Sequence, residues 1–443
     1  MPYTLPQAFE LTAADIPQMI AFTGGGGKTS LLFALAGMLP GKIVITTTTR
    51  MAREQIEFAA ESIPAAVSRY PAISCIACTR ISAIVGPDVE ADKVGGVGLE
   101  VPAQLLAQPG VSFVLVEADG ARMLPLKAPA GHEPAMPLGV DLVVPVCGID
   151  ALGKPINIVA HRPELVAGLL GKRDGDLVEA SDLAKILTHP QGGLKYVPPG
   201  ADVIPAINKV ESESQLELAR AAAGDMLREP RVKQVLITAA EGQDPVLEVH
   251  KRVRAVILAA GESSRMGSPK MLLPWGKGTV LGQTIANVQG SAVFDSVVVT
   301  GASSRAIARI ADACGVPTLF NEQYASGEML SSLQTAVGQL PESIDAVLVV
   351  LGDQPLVEPQ TIDAILAAYW QGEGEIVAPQ FGSRRGNPVL IGRGYFSELL
   401  ALPPGSAPRD LVKKYPVHLV SVASDSILRD IDDRQTYERL RPS

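Results

Sequence analysis

Residues 254–270, RAVILAAGESSRMGSPK, constrain the fold of this chain more than any other stretch. The apolar run 255–260 reads as a buried strand, and it empties into a loop containing Gly261, Ser263, Ser264 and Gly267 before reaching Lys270. A strand that ends in such small residues lets backbone N–H groups approach an anion closely. Arg265 and Lys270 add two cations to the same loop. Leu258, Ala259, Ala260, Gly261, Ser263, Arg265 and Lys270 are therefore candidate contacts for a nucleoside triphosphate. Because the loop lies in the middle of a 443-residue chain, it opens a second domain.

A related pattern lies near the start. Residues 18–39, QMIAFTGGGGKTSLLFALAGML, read as strand, loop and helix. The loop departs from G-x-x-x-x-G-K-[ST], because Phe22 stands where the first glycine belongs, and matches a T-G-x-x-G-K-T variant. Gly24, Gly25, Gly26 and Gly27 permit a backbone nest, Lys28 reaches for β- and γ-phosphates, and the Thr29 hydroxyl suits Mg²⁺. The segment FVLVEADGAR is an apolar strand ending in Glu117 and Asp119, either of which suits the same ion. In AINKVES, Asn208-Lys209-x-Glu211 looks like a guanine-reading N-K-x-D with Glu for Asp, and TAAE (238–241) sits where a supporting loop would lie. A solvated loop after a strand is the competing reading, so ATP and GTP both stay open. In PLKAPAGHEP, Lys127, His132 and Glu133 fit either phosphate sensing near Glu117 and Asp119 or a rigid Pro-punctuated loop. His161-Arg162 is a second candidate anion contact, and the histidines form no cluster that suggests a metal site.

Composition narrows the class. A hydrophobic content of 47% with 4% aromatics suits α/β packing, and a formal charge of −9 argues against a nucleic-acid binder. No apolar run reaches membrane-spanning length, and the first residues lack the basic-then-apolar pattern of a secretion signal, so a cytoplasmic protein with no membrane partner is expected. Cys75 and Cys78 form C-x-x-C, but Cys147 and Cys314 are isolated, which favours reduced structural thiols over a zinc or redox site. A last strand at 232–242 and a polar connection around Pro245 put the domain boundary near 245–253. Beyond it, strands are expected at 254–260, 296–301, 317–320, 346–352, 375–379 and 417–422, with helices at 279–289, 303–313, 328–339, 359–371 and 408–414. That alternation implies a mostly parallel sheet with helices on both faces, and ligands then bind beyond the carboxyl ends of strands, where Gly261 and Asp353 fall. The expected fold is α/β: an N-terminal P-loop-type domain (1–250) followed by a Rossmann-like domain with a mostly parallel sheet (251–443).

Several segments carry a family resemblance. LAAGESSRMGSPK, SGEMLSSLQTAV (326–337), LVVLGDQP (348–355), RRGNPVLIG (384–392) and RDIDDRQTYERL (429–440) together resemble the molybdenum cofactor cytidylyltransferases of the MocA type, with the MobA-type guanylyltransferases next. The resemblance implies nucleotidyl transfer, in which an acceptor phosphate attacks the α-phosphorus of an NTP and pyrophosphate leaves. Arg265 and Lys270 would neutralise charge, Asp353 would bind Mg²⁺, and Asp432 would be a second ligand with Asp430 as its competitor. Ser331 and Ser332 contact base or ribose in this reading, or simply start a helix. LAAG with Pro-Lys favours CTP, and Asn387 stands where many relatives have His. The N-terminal half, through TGGGGKTSLL, TTTTRM, EADGARMLPLKAPAGHEP, GIDALGKP, HRPE and NKV, resembles the YqeC-type accessory proteins of selenium-dependent molybdenum hydroxylases. Together they imply a Mg²⁺-dependent enzyme using CTP and the pterin cofactor Mo-molybdopterin, with a hydroxylase apoenzyme as partner. The alternatives are a cofactor carrier with a nucleotide switch, or a transferase using GTP or a sugar-phosphate acceptor.

Overall fold

The computed structural model describes residues 3–11, 17–52, 66–69, 80–86, 88–90, 93–261, 269–325 and 328–442. Cys75, Cys78, Ser263, Ser264, Arg265 and Gly267 lie outside the described residues. The chain divides into two compact units, 2–250 and 251–443.

In the N-terminal unit, β1 (Gln18–Gly24) is followed by helix α1 (Lys28–Met38) and β2 (Lys42–Thr47). Then come β3 (Ala66–Arg69), β4 (Ile81–Val85), β5 (Val111–Glu117), β6 (Leu142–Gly148), β7 (Ala206–Asn208), β8 (Val235–Thr238) and β9 (Val246–His250). Their order across the sheet is β9-β8-β7-β6-β1-β5-β2-β4-β3, with Asp202–Val203 beside β6. Every pairing is parallel except β8 with β9. The central strands are apolar throughout because both faces are covered: Ile20 and Phe22 pack with Leu31 and Leu35 of α1, while Met19 and Ala21 pack on the other face with Val114 and Val143.

The segment expected as a polar connection is corrected here: its second part is the antiparallel edge strand β9. Its polar residues are misleading because they are buried in pairs. Glu248 is fully buried, accepting from Arg220 Nη2 at 2.6 Å and meeting His250 Nε2 at 2.8 Å.

In the C-terminal unit, β10 (Val253–Ala259), β11 (Asp295–Thr300), β12 (Thr318–Phe320), β13 (Ala346–Leu351), β14 (Ile376–Phe381), β15 (Val389–Gly392) and β16 (His418–Ser421) form one sheet. The order is β12-β11-β10-β13-β15-β14, with Arg384–Arg385 and β16 both pairing β14. Strands β12, β11, β10 and β13 are mutually parallel. β15, a strand the alternation of apolar runs does not reveal, runs antiparallel between β13 and β14. Val253, Ala255, Ile257 and Ala259 face one core and Val256 and Leu258 the other, so helices cover both faces. One of them, α2, spans Glu328–Val337. Both units are thus α/β with mostly parallel sheets. Among the described residues no helix is long and apolar enough to cross a membrane.

The turn after β1 is where backbone freedom matters most. Gly26 has φ +66°, and a Cβ there would sit 2.0 Å from Gly148 N of the neighbouring strand end. Gly26→Ala is therefore expected to destabilise the N-terminal unit by about 2–4 kcal/mol in urea unfolding, through strain and overlap that backbone cannot relieve. Gly37, in α1 with open space around its Cα, is the control: Gly37→Ala should be neutral or stabilise by up to about 1 kcal/mol.

Candidate functional site

Each unit gathers charge at the carboxyl edge of its sheet. In the N-terminal unit the β1 turn feeds directly into α1, whose N-cap is Gly27 with φ +95° and no side-chain cap. Lys28, at the first turn, is 5% exposed and lies 3.7 Å from Glu117 Oε1 and 3.5 Å from Asp119 Oδ1. Burial disfavours its charge, but Glu117 and Asp119 more than offset this and raise its pKa. Thr29 Oγ1 donates to Glu117 Oε2 at 2.7 Å. Gly24 N donates to both Asp119 oxygens at 3.1 Å. Glu117 ends β5 and Asp119 follows it, so the pairing of β5 with β1 brings both carboxylates to the loop.

Behind this group runs a chain of alternating charges. Lys127 Nζ bridges Asp119 at 3.1 Å and Glu133 at 2.8 Å, and Arg162 holds Glu133 with both terminal nitrogens at 2.5 and 3.1 Å. Burial raises the Glu133 pKa, but hydrogen bonds from Arg162 and Lys127 outweigh it and bring the pKa to about 2. His161, whose strand pairs with Leu126–Lys127, is held below its ordinary value by burial and by Arg162, Lys127 and Arg122. His132 is exposed and stands apart.

Asn208, at the end of β7, is buried under the loop. Its Nδ2 donates to Gly26 O at 3.0 Å, while its Oδ1 accepts from Thr238 Oγ1 at 3.1 Å and Ala240 N at 3.0 Å. The TAAE segment thus braces Asn208, which braces the glycine loop. Lys209 turns away with φ +66° to pair with Asp150 at 3.2 Å, and Glu211 is exposed.

In the C-terminal unit, Leu258, Ala259 and Ala260 are buried at the end of β10, and Gly261 is exposed just beyond. Lys270 Nζ hydrogen-bonds Asp353 Oδ2, and reaches Asp432 Oδ1 at 3.0 Å. Burial works against the Lys270 charge, and Asp353 and Asp432 more than compensate, so its pKa is raised. Asp430 accepts from Gln354 Nε2, and its pKa is raised by burial and by the charges of Asp353 and Asp432. Two of these three carboxylates pair with the one lysine, and the third is held by Gln354. No group of three or more His, Cys, Asp or Glu side chains among the described residues is arranged to hold a metal by itself. Ser331 and Ser332 are buried in α2, where Asn321 Nδ2 donates to both, at 2.8 and 3.0 Å.

Comparison with known proteins decides the family. The profile of the MobA-like NTP transferase domain matches residues 255–419, and that of the YqeC protein matches residues 20–164. The uncharacterized protein YqeC of Escherichia coli K12 is 33% identical over 214 residues, covering 45% of this chain and 79% of that protein. The molybdenum cofactor cytidylyltransferase of the same organism is 30% identical over 185 residues, covering 41% of this chain and 91% of that protein. The chain joins a YqeC-family protein to a MobA-like NTP transferase. Among solved structures, Rv0371c of Mycobacterium tuberculosis H37Rv is 28% identical, with a TM-score of 0.39 over 43% of this chain and 97% of that one.

In the MobA-like part, Asn321 and Gln354 are the residues that sequence reasoning misses. Asn321 follows the short strand β12 and fastens α2, while Gln354 follows Asp353 and reaches the closing segment. Neither belongs to a spacing pattern, because their partners come from other elements. In the YqeC part the surprise is the continuity of the Asp119–Lys127–Glu133–Arg162 chain across two loops.

That chain carries a pH signature. Glu133 has a folded pKa of about 2 against an ordinary 4.5, so the unfolded state takes up the proton first as pH falls. Its contribution is complete above pH 4.5 and lost as pH falls towards 2. Thermal melts across this window should show the wild type losing stability on acidification, with Glu133→Gln less stable at neutral pH and flatter through the window. Parallel curves for the two proteins would refute the assignment.

Proposed function

We propose that the C-terminal unit transfers a cytidylyl group from CTP to Mo-molybdopterin, releasing pyrophosphate and forming molybdopterin cytosine dinucleotide. The observation that carries this reading is the meeting of Lys270 with Asp353 and Asp432 beyond the sheet's carboxyl edge. It occurs in the part of the chain that is 30% identical to a molybdenum cofactor cytidylyltransferase across 91% of that protein. An oxygen of the acceptor's phosphate forms the new bond to the α-phosphorus, and the α–β bridge breaks to free pyrophosphate. The protein has little covalent work to do; it aligns the two substrates and balances charge. Lys270 is the cation that meets the phosphates, and Arg265 is its companion in this reading.

The charge imbalance fits a divalent cation. Asp353 and Asp432 outnumber Lys270, and Asp430 beside them is pushed towards its neutral form. Two carboxylates, completed by water and substrate oxygens, suit Mg²⁺. Asp353 and Asp432 would hold it, and when bound it supplies further neutralisation of phosphate charge.

In the same reading the YqeC part is a P-loop accessory domain that binds ATP or GTP, with Lys28 for phosphates and Thr29 with Glu117 for Mg²⁺. It serves maturation of a molybdenum hydroxylase, the selenium-dependent kind included, with the apoenzyme as partner in the cytoplasm. One observation also favours a nucleotide switch: Lys28 and Thr29 hold Glu117 and Asp119, so an entering phosphate must compete with these bonds.

Pyrophosphate release with Mg²⁺ and Mo-molybdopterin, comparing CTP, GTP, ATP and UTP, tests the reading. Release with CTP alone is expected, and Asp353→Ala should lower it by roughly 10²–10³-fold. Release with GTP would move the enzyme to guanylyl transfer. Binding of the cofactor without release from any nucleotide would make it a carrier.

A further inference from the structure

Resting on the transfer reading, we infer that the hairpin closed by Phe381, Arg384 and Arg385 is the acceptor subsite, which holds the phosphate monoester and planar ring of the second substrate. β14 runs parallel to β13, since β15 is antiparallel to both, so β14 ends on the same edge as Leu351, two residues before Asp353. Its last residues turn back at once: Gln380 pairs with Arg385 and Phe381 with Arg384. Both arginines are exposed, and neither guanidinium makes a hydrogen bond or ion pair with a described residue. Phe381 is 38% exposed beside Arg384 on the same face of the hairpin.

The hairpin is fastened to the reactive segment through one carbonyl. Ile427 O accepts from Asn387 N at 3.2 Å and from Gln354 Nε2 at 3.4 Å. Gln354 follows Asp353 and also donates to Asp430. Gly386 makes the close approach possible, because a Cβ there would lie 2.4 Å from Ile427 O. A chain of hydrogen bonds therefore runs from the hairpin to Asp430 through Gln354, the neighbour of Asp353; Arg384 shares the Phe381 face and Arg385 points to the other.

Charge gives the hairpin its purpose. The Asp353, Asp430 and Asp432 group repels any second phosphate, and Lys270 is already shared between two of the three. An acceptor phosphate needs cations outside that group. Arginine presents a planar fork matched to phosphate oxygens, and a guanidinium beside an exposed phenyl ring makes a stacking surface for a flat heterocycle. A flat heterocycle that carries a phosphate uses both the ring and a guanidinium of this hairpin.

Steady-state kinetics on the full chain test it, with CTP and Mo-molybdopterin varied in turn for Arg384→Ala, Arg385→Ala, the double variant and Phe381→Ala. The expected result is a rise in KM for Mo-molybdopterin of about tenfold for at least one arginine and more for the double variant. KM for CTP should stay within about twofold, and Arg384→Lys should recover only part of the loss. A rise in KM for CTP instead, or no change in either, overturns the inference. Direct titration of Mo-molybdopterin into wild type and double variant separates this from failure of the transfer reading. Wild-type binding that the double variant weakens supports the hairpin even without turnover. Equal binding in both, or none in the wild type, overturns it.

Discussion

Two carboxylates and a lysine meet at the carboxyl edge of the central strands in each unit. In the N-terminal unit Lys28 lies between Glu117 and Asp119, and in the C-terminal unit Lys270 lies between Asp353 and Asp432. Such groups are poor sources of stability, because taking ions out of water costs more than their attraction readily returns. The first trio is nearly sealed, with Lys28, Glu117 and Asp119 each 5% exposed or less. The second is open on one side, where Asp432 is half exposed. The closed trio keeps its lysine out of solvent. The open one leaves one of its carboxylates in contact with solvent.

Parallel topology is what concentrates this charge. In each sheet the strand that precedes the glycine loop lies beside the strand that supplies the acidic residues: β1 pairs β5, and β10 pairs β13. The loop lysine and the strand-end carboxylate thus arrive at one edge without any contact between their own segments in sequence. The surroundings then differ. In the N-terminal unit a buried lysine, Lys127, passes the charge on to Glu133 and Arg162. In the C-terminal unit an uncharged amide, Gln354, does the linking, to Asp430 and to Ile427 O.

Much of this was legible in the residues themselves. Short apolar runs such as 255–260, bounded by a small-residue loop, read as buried strands, and their glycine or aspartate endings mark the carboxyl edge of the sheet. β15 was not legible, because Val389–Gly392 is four residues long and its antiparallel direction depends on where β13 and β14 lie. β9 was hidden by Glu248 and His250, whose polarity suggests solvent but which satisfy each other and Arg220 in the interior. Ser331 and Ser332 read equally as ligand contacts or helix residues, and the Asn321 that binds both comes from another element. What escapes a sequence is mainly the partner of each polar group, since partners are set by topology.

The departure of the first loop from the usual phosphate-binding pattern has a physical reason. Phe22, where a glycine would begin that pattern, is fully buried and meets Phe9 edge-on with ring centroids 6.4 Å apart. The position belongs to the core and not to the loop. The N–H groups of the first three glycines are also committed: Gly24 N to Asp119, Gly25 N to Val146 O at 2.8 Å, and Gly26 N to Leu124 O at 3.1 Å. These bonds fix the loop's path before any ligand arrives. The start of α1, at Gly27, carries no side-chain cap. The upstream glycines let neighbouring backbone come close.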